Sequence, residues 1–136
     1  MGYYAHLLKG DPFTINNPTA VLDSLKETEG QHGHSWCQPV THYRETTPND
    51  AEALVAILEN YGFRVVTPNP DTIRVAGFDD SKLGWSWEDF WRALACGTSD
   101  TVTWIMRGED NEVWAEVITS DGHRGANVSV SYTVEV

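Results

Sequence analysis

From residue 101 to residue 136 apolar and polar positions alternate almost without error. Val102, Trp104 and Met106 fall on one side, Thr101, Thr103 and Arg107 on the other. Successive side chains of an extended strand point to opposite faces, so this period of two predicts strands with one buried face. After a turn at Gly108-Glu109-Asp110-Asn111 the pattern resumes, and Val113, Ala115 and Val117 read as the inward set. A last run, residues 126–136, places Ala126, Val128, Val130, Tyr132, Val134 and Val136 together.

Upstream the period changes. Asn17-Pro18 starts a helix well, because Asn caps free N–H groups and proline at the first helical position gives up a donor that has no partner there. Val21, Leu22 and Leu25 form its apolar stripe, and Gly30 ends it. Thr47-Pro48-Asn49-Asp50 opens a second helix, with Thr47 as the cap and Ala51, Leu54, Val55, Leu58 and Tyr61 at helical spacing. Gly62 supplies its left-handed stop. A hairpin turning at Pro68-Asn69-Pro70-Asp71 follows. A third helix starts at Ser86, with Trp85 and Phe90 as a staple and Trp87, Phe90, Trp91 and Leu94 as its buried stripe, and Gly97 stops it. With a first strand over residues 3–8, continued briefly by Phe13, Thr14 and Ile15, the expectation is an α+β fold. It has one antiparallel sheet of about five to six strands, three helices packed mainly on one face, and the order βααββαβββ. All 136 residues are expected to form a single domain.

Composition narrows the function classes. An apolar content of 40% with 11% aromatic residues is that of a packed globule. The sequence holds no apolar run near the ~20 residues that a membrane span needs, and no leader pattern, so an unprocessed soluble chain is expected. A net charge of −11 argues against direct nucleic-acid binding, which neutralises phosphates with Lys and Arg, and against anionic membranes. It favours solubility, a basic protein partner, or carboxylates standing in for phosphates as a nucleic-acid mimic. The two cysteines, Cys37 and Cys96, are expected to be reduced in a cytosol, with Cys96 a small buried thiol inside the third helix.

Residues 31–46 follow neither period, and a long irregular stretch in a small domain is usually functional or mobile. His32, His34, Cys37 and His42 lie within it, and imidazole and thiolate are zinc's preferred donors. Their spacing matches no zinc motif, and a His-rich solvated loop is the plainer reading. Cys37 as a nucleophile activated by His34 or His42 lacks any supporting context. The carboxylates of Asp79-Asp80, Glu88-Asp89 and Glu109-Asp110-Glu112 have local explanations at turns and a helix start. No catalytic residues are assigned, since no phosphate loop, nucleophile elbow or dinucleotide fingerprint occurs. Of six tryptophans, Trp114 stands out. It alternates with Val113 and Ala115, and with Ile105 and Ile118 it would make a second apolar surface, covered by a helix or open to a partner.

Three segments carry a resemblance: Met1-Gly2-Tyr3-Tyr4, Ile73-Arg74-Val75-Ala76-Gly77-Phe78-Asp79, and residues 104–114 with their Arg-Gly-Glu-Asp turn between tryptophans. Together they resemble small accessory proteins of bacteriophages that infect actinobacteria. The resemblance implies an accessory phage product in the bacterial cytoplasm and transfers no catalytic residues. The resulting expectation is a non-enzymatic protein that binds a host or phage protein, of a host-takeover or defence-antagonist type. Trp36, Tyr43 and Trp114 are its expected contacts, because aromatic anchors dominate interfaces. It is expected to need no cofactor. The rival is a metal-dependent enzyme, or a small-ligand-sequestering protein, built on residues 31–46 with zinc held by His32, His34, Cys37 and His42.

Overall fold

The alternation in the C-terminal third builds the larger of two antiparallel sheets. The computed structural model describes residues 3–29, 39–79, 81–83, 87–129 and 134. Strands β1 (Tyr3–Gly10), β5 (Ser81–Leu83), β6 (Val102–Gly108), β7 (Val113–Thr119) and β8 (Gly122–Asn127) form a sheet in the order β5-β1-β6-β7-β8. A second sheet runs β2-β4-β3, from β2 (Phe13–Ile15), β3 (Phe63–Asn69) and β4 (Thr72–Phe78). Among the described residues there are four helices: α1 (Pro18–Glu29), α2 (Val40–Thr46), α3 (Asp50–Asn60) and α4 (Trp87–Cys96). The α+β class is as expected. The single sheet, the three helices and the order βααββαβββ are corrected, among the described residues, to two sheets, four helices and ββαααβββαβββ.

The sheets part at residues 10–13. Gly10 pairs with Trp104, and a Cβ there would lie 2.7 Å from the indole, so only glycine lets the ring cover the strand end. The Trp104 indole N–H donates to the Asp11 carbonyl at 2.7 Å and fixes the turn. Beyond Pro12 the chain pairs with β4 instead, registering Phe13 opposite Val75 and Ile15 opposite Ile73. Phe13 and Ile15 are fully buried there. Phe13, Phe63, Trp91 and Trp104 then meet between the sheets, with Trp91 edge-on to Trp104 at 5.2 Å and Phe63 at 5.7 Å from it. Burying rings of this size is the main stabilising term of the fold.

The helix ends follow local chemistry. Asn17 accepts from the Ala20 N–H, as expected of a cap. On α3 the cap is Asn49 and not Thr47: its side chain accepts from the Glu52 N–H at 2.9 Å, while its own amide donates to the Glu52 carboxylate. Thr47 instead donates to the Tyr43 carbonyl and closes α2. Gly62 holds φ +94° after α3. Gly97 serves differently, since a Cβ would strike Val21 at 2.4 Å where α1 and α4 approach. Its carbonyl accepts from Asn16 and Asn17.

Helix α2 lies within the stretch read as irregular. It has one buried residue, Val40, and therefore no visible period. Arg44 anchors it, donating to Asp23 of α1 at 2.8 Å and to Asp50 of α3 at 3.2 Å. Cys96 is exposed, contrary to the expected buried thiol. It stands two residues past Leu94, about 200° around a helix of 3.6 residues per turn, and so on the solvent side. In the final run, the strand begins at Gly122 and ends at Asn127, earlier than the alternation suggested. Val134 is 83% exposed, and residues 130–133, 135 and 136 lie outside those described.

Candidate functional site

The β6–β7 register decides which residues of β7 look inward. Val102, Trp104 and Met106 are buried and pair with Ile118, Glu116 and Trp114, which therefore share their face. The expected inward set, Val113, Ala115 and Val117, lies on the opposite face with Ile105. The second apolar surface grouping Trp114 with Ile105 does not form. In β8 the same register puts His123, Gly125 and Asn127 inward, opposite Ile118, Glu116 and Trp114.

Glu116 is thereby carried into the interior at 5% exposure. A buried carboxylate is costly unless donors surround it, and here three do. The indole N–H groups of Trp114 and Trp87 reach Oε2 at 2.9 and 3.1 Å. His123 Nε2 lies 2.8 Å from Oε1, and its ring stacks on Trp91 at 6.0 Å. Helix α4 makes this possible: its first residue, Trp87, delivers the indole, and the apolar stripe that buries Phe90, Trp91 and Leu94 sets the helix rotation. The Trp91 Nε1 donor is buried with no partner among the described residues.

Around this cluster lies a pocket of about 450 Å³ lined by Trp87, Glu88, Trp114, Glu116, His123, Gly125, Ala126 and Asn127. The size suits a small molecule. Its floor is a carboxylate held in place by two indoles and an imidazole, and its rim carries a second carboxylate, Glu88, which is exposed. A carboxylate–imidazole pair is also the geometry of general acid–base chemistry. Sequence reasoning missed Glu116 and His123. The available signal was the hairpin itself: once Arg107 pairs with Val113 across the turn, even-numbered residues must face inward on both strands.

The other face of this sheet differs. It carries half-buried Ile105, Val113, Val117 and Ala126 around a buried Ala115, with Thr103, His6, Lys9, Arg107 and Arg124 beside them. Arg107 donates to His6 Nε2 at 2.9 Å. Among the described residues, Lys9, Arg107 and Arg124 take part in no ion pair with a carboxylate. The strands of both sheets hold Lys9, Arg64, Arg74, Lys82, Arg107 and Arg124 but one acid, the inward Glu116. The negative charge sits on helices and turns.

Of the expected contacts, Tyr43 is half-buried on α2 against the core, with His42 edge-on at 5.6 Å. Trp114 lines the pocket. Trp36, and the candidate ligands His32, His34 and Cys37, lie outside the described residues. His42 is exposed, and no group of three or more His, Cys, Asp or Glu suited to a metal occurs among the described residues. Also among these, no helix is long and apolar enough to cross a membrane. Between α1, α2 and α3, the Thr19 hydroxyl at 2.7 Å, with Arg44 beside it, holds the Asp50 carboxyl below its usual range. Arg44 is raised in turn, chiefly by its bond to Asp23.

No family model matches this chain, and no solved structure does. It is similar to curated proteins named enoyl-[acyl-carrier-protein] reductase [NADH]. That of Vibrio parahaemolyticus is 32% identical over 124 residues, covering 89% of this chain and 28% of the relative. Those of Vibrio vulnificus and Aliivibrio fischeri are 31% and 30% identical over the same shares. The chain thus spans 28% of the length of the relatives it matches.

Proposed function

We propose that this chain is a non-enzymatic phage accessory protein that binds a host or phage protein in the bacterial cytoplasm. The contact surface is the outer face of the five-stranded sheet, and the partner presents acidic residues. The observation that carries this reading is charge segregation. A chain with a net charge of −11 sets Lys9, Arg107 and Arg124 on the same face as an apolar strip, with no carboxylate ion pair among the described residues. Apolar centres with charged rims are the anatomy of protein interfaces, and complementary charge sets partner choice and on-rate. Trp36 and Tyr43 remain proposed contacts.

Acyl carrier protein is the first partner to test, because the similar proteins are named for acting with it. Binding is measured by titration calorimetry against acyl carrier protein, and by co-purification from host lysate, for wild type and an Arg107→Glu/Arg124→Glu variant. Retention of the same partner by a folded double variant removes the surface from the reading. A second reading, NADH-dependent enoyl reduction, is favoured by sequence similarity. All strand pairs among the described residues are antiparallel, unlike the parallel sheet at whose strand ends dinucleotides bind. NADH consumption with an enoyl-thioester substrate would establish that reading, and none would end it.

A further inference from the structure

We infer that the pocket between α4 and strands β7 and β8 is a binding site for a small organic cation with an ammonium head, primary or quaternary. Its composition selects charge sign first. Glu116 on the floor, Glu88 on the rim and Asp89 beside it bring three carboxylates against two basic groups, Arg92, which pairs with Glu88 at 3.6 Å and Asp89 at 2.6 Å, and His123, so carboxylates remain in excess even with the imidazole counted as charged. The N-terminus of α4 pulls the other way, since helix starts favour anions. Glu88 and Asp89 in that first turn already answer it.

The walls select the body of the ligand. Trp87 and Trp114 line the pocket, and each turns its indole N–H onto Glu116. The donor edges are thereby consumed, and what the indoles offer a guest is their aromatic surface. A cation over indole is attracted by the ring quadrupole, more strongly where water is excluded. Neutral hydrogen-bonding guests gain less, because both oxygens of Glu116 are already engaged. The approximately 450 Å³ volume admits a head group with a short chain. The groups that select this guest, Trp87, Glu88, Trp114 and Glu116, are not on the outer face that carries Arg107 and Arg124, so the two readings stand or fall separately.

Choline is the probe, and its uncharged carbon isostere, neohexyl alcohol, is the control. Calorimetry and tryptophan fluorescence should show saturable choline binding, with the isostere weaker by roughly tenfold. Trp114→Ala should cost choline roughly tenfold, and Glu88→Gln, at an exposed rim position that leaves the core untouched, about threefold. Thermal melts of each variant confirm that the fold persists. No saturable binding up to roughly 10 mM choline, equal binding of neohexyl alcohol, or wild-type binding by both variants would overturn the assignment.

Discussion

Residues 114, 116 and 118 of β7 look toward α4, while 113, 115 and 117 look away, so one strand supplies two surfaces of opposite character. The inner surface is a polar cluster at the floor of a pocket with aromatic walls, and two indoles and an imidazole converge there on Glu116. The outer surface is apolar and basic, and its charges reach water. The inner groups hold structure, because a buried charge stripped of donors is expensive. Those outside are free to meet a partner, because exposed charges contribute little to folding.

That contrast can be broken most severely at its centre. Glu116→Leu leaves two indole donors and His123 without their carboxylate at the pocket floor, and should destabilise the fold by about 3–5 kcal/mol in urea unfolding. A loss below about 1 kcal/mol would show that the cluster is dispensable. Trp87→Phe keeps most of the ring volume and removes one donor to a carboxylate, for an expected loss of about 1.5–3 kcal/mol by the same measurement. The Asp50 corner is smaller. Its carboxyl is lowered in the fold by Thr19 and Arg44, so the charged form contributes stability above the ordinary carboxylate range and loses it as pH falls through the lowered value. Asp50→Asn should therefore be less stable than wild type at neutral pH by at most about 1 kcal/mol, with the two curves converging in acid. A constant gap at all pH values would count against that linkage. Arg107→Glu with Arg124→Glu should sit at the bottom of the scale, within about 0.5 kcal/mol of wild type in stability, while abolishing partner binding. A large stability loss would mean that the outer face is covered in the native protein.

Much of the fold was legible, and the reasons are local. Asn17 and Gly62 act where capping chemistry places them, the first hairpin turns at Pro70-Asp71 inside the expected Pro68–Asp71 span, the second turns at Gly108–Asn111, and the stripe of α4 is buried as its spacing predicts. The phase of β7 was not legible from hydropathy, because its outer set, Val113, Ala115 and Val117, is the more uniformly apolar one. Trp114 and Glu116 face inward only because Met106 and Trp104 pair with them. Helix α2 escaped for a related reason: it is held by Arg44 reaching two other helices and not by a stripe of its own.

The sequence by itself determined the α+β class, the turns and most helix ends, since those depend on residues within a few positions of one another. Only the tertiary structure decided that β2 leaves the first sheet, that Glu116 is buried among tryptophans from α4 and β7, and that Lys9, Arg107 and Arg124 share one face of the larger sheet. Each of these sets residues far apart in the chain against one another, where the energy of a buried charge or ring depends on partners that no local pattern names.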